Sequence, residues 1–434
     1  MNILIIYSSS QTYTSTVFEH LNSFSKYSIF KYSYADYSEL DKPYVNISHF
    51  DAFVIHYSVR LAFGQLNTYS LAKLSDFKGL KVLFIQDEYD HTSALKTIMK
   101  IIGFNLVFSV VPKKHLQFIY PHKEFPNTRF INNLTGYAPD LINLNAKKNI
   151  PPSKRKLIVA YRGRTLPIWY GQLGFEKKEI GERVKEYCES RGIDCNISWD
   201  EASRVYGNDW YKFMRSAKTM LGSESGSNVF NWDGSLEIKV HNYRRLNRKL
   251  SDVQVYKKVI KSLEIEGLMN QVSPRIFEMA ALKTTMILFE GGYSNIISPY
   301  KHYLPLKKDF SNLDHIFEMI KDDALVDKIA DNAYRDLIST GKYSYQNFIA
   351  MVDQQILISF KRIAKKKPLK KINLNKIKWA SKVIRQKKSP FSFFLSKSIK
   401  KSSIMLCLFN MLIFTWDKFP KKLRSFIRFI MARS

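Results

Sequence analysis

The chain has 434 residues, of which 45% are hydrophobic and 14% aromatic, and a formal net charge of +30. That length accommodates two ordinary domains and a further segment, and that apolar content excludes an intrinsically disordered protein. The charge is uneven: residues 361–434 hold 22 Lys and Arg against one acid, Asp417, a net +21, while the preceding residues carry only +9, so the sum alone does not mark a nucleic-acid-binding protein.

The opening Met1-Asn2-Ile3-Leu4-Ile5-Ile6-Tyr7 lacks the basic n-region of a signal peptide and reads as a first strand. Strand-like runs at 2–7, 51–59, 80–87 and 105–111 alternate with helix-like runs near 12–25 and 93–103, the pattern of an open parallel sheet with crossovers. They define a first unit, 1–145. A polar stretch, NLNAKKNIPPSKRK (143–156), reads as a linker. The pattern then restarts in a second unit, 146–360, with a strand at 157–161, a helix at 179–192, a strand at 217–222 and closing helices at 312–340 and 343–362.

Within that unit, SPRIFEMAALKTTMILFEGG (273–292) predicts a helix feeding a strand. Ser273 suits the N-cap and Pro274 the first turn, where a missing N–H costs nothing. Ile276, Phe277, Ala280 and Ala281 follow helical spacing, and Thr284 to Phe289 is the β-branched, apolar run of a strand buried on both faces. The fold class is therefore α/β, two Rossmann-like domains facing a cleft, and ligands in such sheets bind beyond the carboxyl ends of the strands.

The last segment, 361–434, interleaves Lys with Trp379, Phe391, Phe393 and Phe394, and Ile404 to Trp416 is apolar apart from Asn410 and Thr415. Thirteen residues make about 20 Å of helix against a hydrocarbon core of about 30 Å. A basic amphipathic helical tail lying on an anionic inner-membrane surface is expected, with a disordered tail or a nucleic-acid arm as the rivals. Nucleic acid is not the expected partner, because the cations are interleaved with an aromatic and aliphatic face. The cysteines, Cys188, Cys195 and Cys407, have neither disulfide nor zinc spacing and fit a reducing compartment, so the expected location is cytoplasmic, peripheral on the inner face of the membrane.

Several chemistries lack their motifs: there is no G-x-G-x-x-G, Walker A loop, H-E-x-x-H, nucleophile elbow or D-x-D pair. A metal is not expected. Tyr161-Arg162-Gly163-Arg164 sends two guanidiniums to the carboxyl end of a strand, where bidentate pairing to a diphosphate is natural, although solvated charges are the plain alternative. Gly222-Ser223-Glu224-Ser225-Gly226-Ser227 is a small, hydroxyl-rich loop suited to close backbone approach by a ligand, or simply a loop. Arg275 and Glu278 also have the i, i+3 spacing of a surface ion pair. In the first unit VLFIQDEYDH sets Asp87 and Glu88 at the end of a strand, with His56 at the end of another; Asp87 or Glu88 is the first choice for a general base and His56 the second, while capping of the next helix is the rival role.

SPRIFEMAALKTTMILFEGGYSNI followed by YSYQNFIAMV (343–352) resembles the C-terminal half of glycosyltransferases of the GT-B architecture, the bacterial group that includes family 4-like and spore-maturation-type enzymes. VAYRGRTLPIWYGQLGFEKKEIGERV (159–184) and YGNDWYKFMRSAKTMLGSESGSNVFNWDGSLE (206–237) are similar to glycosyltransferases of surface-polysaccharide clusters. The resemblance implies that Glu278 binds ribose hydroxyls and Arg275 lies near phosphate; Arg162, Arg164, Lys177, Ser223, Glu224 and Ser225 are the further donor-site candidates. The three cations among them are the stabilisers of a departing diphosphate if the transfer is retaining, while an inverting transfer needs the base. It implies a nucleotide-sugar as substrate, no cofactor, and a saccharide acceptor, expected to be lipid-linked. A polyol-phosphate transferase and a non-catalytic membrane- or nucleic-acid-binding protein on the same scaffold are the alternatives. The family pattern departs at Asn270, where a second Glu is usual, and at Lys283, where a Gly ends the helix.

Overall fold

The computed structural model describes residues 1–364 except Tyr13 and residues 142–148. Most of the basic tail, from 365 onward, and the first half of the linker lie outside the described residues.

The first sheet contains β1 (Asn2–Tyr7), β2 (Lys31–Asp36), β3 (Ala52–Ile55), β4 (Leu80–Phe84), β5 (Leu106–Ser109) and β6 (Arg129–Asn132), with α1 (Ser15–Tyr27), α2 (Thr68–Asp76), α3 (Thr92–Ile102) and the short α4 (Leu116–Ile119) between them. All its pairings are parallel, in the order β2-β1-β3-β4-β5-β6. The second sheet contains β7 (Leu157–Arg162), β8 (Cys195–Ser198), β9 (Ala217–Gly222), β10 (Thr285–Phe289) and β11 (Leu304–Leu306), again all parallel, in the order β11-β10-β9-β7-β8. Its helices are α5 (Gly171–Ser190), α6 (Gly207–Ser216), α7 (Ser235–Leu246), α8 (Asp252–Val259), α9 (Pro274–Ala281), α10 (Leu313–Met319) and α11 (Asp323–Tyr334). Two parallel α/β units are thus present, as expected, and in each the strand order reverses between the first and third strands of the unit. Such a reversal opens a crevice at the carboxyl ends.

Sequence pattern and burial agree where strands are central. Ile3 to Ile6, Ala52 to Ile55 and Thr285 to Phe289 are buried throughout, which is why they read as unbroken apolar runs. The edge strand β2, KYSYAD, buries only Ala35 and so gives no such signal. The predicted helix at 179–192 begins earlier, at Gly171, and thereby takes Lys177 into its first half. The predicted strand 51–59 stops at Ile55, because His56, Tyr57 and Ser58 turn the chain with a Val59 N to His56 O bond (2.9 Å).

The last described helix, α12 (Tyr345–Ala364), packs on the first sheet and not on the second unit that it was expected to close. Its face of Tyr345, Phe348, Ile349, Val352 and Ile356 is buried with Ile3, Phe24, Val82 and Phe108, each large apolar side chain contributing about 1.5–3 kcal/mol by leaving water. Asp353 fixes the register, accepting from Ser28 Oγ (2.7 Å) and Ile29 N (2.9 Å). The lobes are also joined across the turn after β4: Asn231 N donates to Tyr89 O and Ser93 N to Trp232 O, both at 2.8 Å, while Phe230, Leu268 and Met269 enter the first lobe's core.

Candidate functional site

At the reversal point of the second sheet, the chain leaves β7 through Arg162-Gly163-Arg164 and β9 through Gly222-Ser223. These segments, the start of α9 and the N-terminus of α1 (Thr14, Ser15, Thr16) in the first lobe line a cleft of about 400 Å³, within the roughly 300–1,000 Å³ of small-molecule sites. Gly163 has to be glycine: a Cβ there would stand 2.6 Å from Lys177 O and 2.7 Å from the Tyr161 ring. Its absence lets β7 end against α5 and brings Lys177 beside the two arginines.

The cleft gathers Arg162, Arg164, Lys177, Ser223, Arg275 and Glu278. Lys177 Nζ donates to Glu224 O (3.0 Å). Burial, and then the guanidiniums of Arg164 and Arg275, hold its ammonium down at about 8. Three cations thus converge at one wall of the cleft, and the repulsion between them adds to burial in lowering the Lys177 pKa. Arg275 lies 4.9 Å over the Trp210 ring and 5.6 Å over that of Tyr161, so aromatic faces position the guanidinium at the cleft wall.

Glu278 does not form the simple helix-surface pair with Arg275. The residue is 9% exposed, and its carboxylate accepts from Trp210 Nε1 (3.0 Å) and, across the lobes, from Thr16 Oγ1 (3.4 Å). Burial raises its pKa, and Trp210 and Arg275 oppose that. Arg162 is engaged differently. Nε donates to Ser203 O (3.0 Å), Nη1 to Tyr161 O (2.8 Å) and Asn196 O (3.0 Å), and Nη2 to Asn196 Oδ1 (2.7 Å), with the plane 4.2 Å over Phe213. Its donors tie the loop before α6 to β7, so it shapes the cleft wall.

Ser273 occupies the N-cap of α9, but its hydroxyl makes no capping bond; it lines the cleft instead. At the other end Lys283 takes the left-handed conformation, φ 50°, and Thr284 N bonds Met279 O (2.9 Å), so the usual glycine turn is made by a lysine at a conformational cost of roughly 1–2 kcal/mol. Lys283 Nζ also pairs with Asp331 (2.7 Å).

Glu224 and Ser225 lie in the same loop as Ser223 without facing this cleft. The Glu224 carboxylate is buried, accepting from Tyr293 N (2.7 Å) and Asn270 Nδ2, and Ser225 pairs its backbone with Gln271 in both directions (2.8 and 2.9 Å). The departing position Asn270 is thus the partner of Glu224, and both border a second, shallower cavity with Gly291 and Lys307.

In the first lobe the candidates separate. His56 is fully buried, its Nε2 2.9 Å from His20 Nδ1 and its Nδ1 2.9 Å from Ser58 Oγ. Burial keeps both imidazoles neutral, His20 at about 3. Glu88 is likewise fully buried and accepts from Ser109 Oγ; burial pushes its carboxyl up to about 8. Its backbone carbonyl, not its side chain, receives the Thr92 hydroxyl at the start of α3 (2.7 Å). Asp87 is exposed, accepts from Tyr89 OH (2.7 Å) and stands within electrostatic reach of Lys177. Its φ of 56° and that of His91, 51°, put two left-handed non-glycine residues in one turn, the kind of strain that persists where surrounding structure holds it. Asp90, not anticipated, joins the lobes by accepting from Arg60 Nη2 and Tyr170 OH, both at 3.0 Å, and burial raises it to about 6.

Sequence reasoning missed Thr14 to Thr16, Arg204 and Tyr206 as cleft residues. A signal existed for the first: SSSQTYTST (8–16) is a hydroxyl-rich loop after a first strand. Among the described residues, no group of three or more His, Cys, Asp or Glu could hold a metal ion, and no helix is long and apolar enough to cross a membrane.

No family model and no curated protein matches the chain. Among solved structures it is similar to HepE from Anabaena in complex with UDP, at 11% identity over 83% of this chain and 100% of that one, with a TM-score of 0.45. An alpha-glucosyltransferase in complex with UDP and DNA gives 12% identity, 82% and 99% coverage and a TM-score of 0.47. Sucrose-phosphate synthase from Thermosynechococcus elongatus gives 12%, 83% and 100%, and 0.41. The functional reading rests on the residues of the cleft itself.

Proposed function

We propose that the chain is a glycosyltransferase that moves a sugar from a nucleoside diphosphate-sugar to a saccharide acceptor, without a bound cofactor. The observation that supports this most is the convergence of Arg164, Lys177 and Arg275 beside the buried Glu278 carboxylate. A diphosphate would pair with these cations, and a ribose would supply hydroxyl donors for Glu278. Trp210 and Tyr161 frame that position.

In this reading the acceptor hydroxyl attacks the anomeric carbon as the bond to the diphosphate breaks. The cations stabilise the charge that develops on the departing nucleoside diphosphate, and Asp87, on the opposite lobe, accepts the acceptor's proton. Glu88 and His56 act behind it, holding the strand ends. The acceptor is a lipid-linked glycan of bacterial surface-polysaccharide synthesis, and the basic segment 361–434 keeps the enzyme on the inner membrane face by its charge.

Incubation of the purified chain with UDP-, GDP-, dTDP- and CDP-linked donors tests this. Sugar transfer or donor hydrolysis is expected with at least one sugar donor, and Asp87→Asn is expected to lower turnover while leaving donor affinity unchanged. Absence of binding and turnover with every donor, from folded protein, contradicts it. Turnover confined to a CDP-linked polyol replaces it with the polyol-phosphate transferase.

A further inference from the structure

Between Gly226 and Gln271 the second lobe carries a helical hairpin that contributes nothing to the cleft. Its inner face, Leu236 and Val240 of α7 with Val255, Tyr256 and Ile260 around α8, packs on Ile168 and Val229. The outer face has an unusual composition. Residues 235–265 contain eight Lys and Arg against three acids, and each acid is turned to a protein partner. Glu237 faces His91 (3.7 Å), Asp252 pairs with Arg244, and Glu264 accepts from Gln172 N (2.9 Å) and Tyr256 OH.

Arg245, Arg248, Lys249, Lys257, Lys258 and Lys261 are all exposed. Large aliphatic side chains stand among them in water: Leu246 is 78% exposed, and Ile238, Val253, Leu263 and Ile265 are exposed as well. Leu246 sits at the end of α7, next to the turn that bears Arg248 and Lys249. The two classes have one common partner. Cations that outnumber the acids beside them, here Asp252 and the exposed Glu266, seek a dense anionic surface, and aliphatic side chains that cannot be covered by the chain's own fold seek a hydrocarbon phase directly beneath it.

We infer that the outer face of the α7–α8 hairpin is a docking surface for anionic phospholipid, with Leu246 entering the acyl boundary and the flanking Lys and Arg on the headgroups. This contact is separate from that expected of the tail and does not depend on the catalytic reading. The tail cannot be the occupant of this face, since residues 361–434 carry a net +21 and would meet like charge. A nucleic acid would satisfy the cations and leave five aliphatic side chains against phosphate and water.

The full chain tests the inference on vesicles of phosphatidylglycerol and phosphatidylethanolamine. Lys257→Gln/Lys258→Gln/Lys261→Gln is expected to weaken co-sedimentation on the order of a hundredfold, at about fivefold per cation, with the thermal midpoint unchanged as the check on folding. Leu246→Cys carrying an environment-sensitive fluorophore, in a Cys195→Ser/Cys407→Ser background, is expected to shift to the blue on those vesicles and not on phosphatidylcholine. Unchanged sedimentation of the triple variant, or a label at 246 that stays in water while the chain sediments, overturns the inference. Protection of the same lysines by duplex RNA, with no response of the label to vesicles, overturns it in favour of a nucleic-acid surface.

Discussion

The two lobes share the order of their first five strands and differ in what they place at the strand ends. In the first lobe the polar groups behind the carboxyl ends are drawn into the interior and lose their charge: His20 and His56 are neutral imidazoles bonded to each other, and Glu88 holds its proton to about 8. In the second lobe Arg164, Lys177 and Arg275 gather instead at the wall of an open cleft, with Arg275 over the Trp210 ring. The same scaffold therefore supplies a neutral platform on one side and an anion-binding wall on the other. Burial is the first cause of the shifts at His20 and Glu88; it acts on Lys177 too, but there the group lines an open cleft beside Arg164 and Arg275.

The contrast can be broken most severely at the helix that serves the first lobe from the far end of the chain. Phe348→Ala is expected to destabilise the fold by about 3–5 kcal/mol, because its ring is buried against Tyr137, Phe84 and Phe24; urea denaturation measures it. Next in size, Arg275→Ala is expected to weaken nucleoside diphosphate binding about ten- to a hundredfold, the loss of a charge-assisted contact, with the thermal midpoint preserved. Isothermal titration of both variants shows whether stability and binding separate as the two lobes do.

A smaller effect is expected from pH. Lys177 titrates at about 8, and the bound anion favours its protonated form, so donor affinity is full below that value and falls as pH rises through it, by at most about tenfold per unit. Lys177→Arg keeps its charge and is expected to flatten the profile. The smallest effect on turnover is expected of Glu88→Gln. Because its folded pKa of about 8 lies above the unfolded value near 4.3, its contribution to stability is full in acid and is lost as pH rises toward 8. The variant lacks this penalty, and its thermal midpoint relative to wild type should climb over that window. A large loss of turnover would instead give Glu88 the proton-transfer role.

Much of this was legible in the sequence for a physical reason: central parallel strands are buried on both faces, so Ile3 to Ile6 and Thr285 to Phe289 read directly as strands. Edge strand β2 and hairpin α7–α8 were not, because one is mostly exposed and the other packs only one narrow face. At the site, the strand-end position of Arg164 and the helix-start position of Arg275 were readable. The diversion of Arg162 to backbone carbonyls was not, since it depends on Ser203 and Asn196, which approach only in the fold. Equally hidden was the separation of Asp87 from Glu88: adjacent carboxylates point one to solvent and one to the core, a consequence of the left-handed turn at Asp87. The return of α12 to the first sheet depends on a face left uncovered more than 200 residues earlier in the chain.

The most direct test of the account is donor binding measured side by side for wild type, Arg275→Ala and Glu278→Ala, by calorimetry with the panel of nucleoside diphosphate-sugars. The account predicts that wild type binds at least one sugar donor, that Arg275→Ala loses affinity for the free nucleoside diphosphate as much as for the sugar donor, and that Glu278→Ala loses it only for ligands bearing ribose hydroxyls. Binding that survives both substitutions undiminished, or no binding by folded wild type, contradicts it.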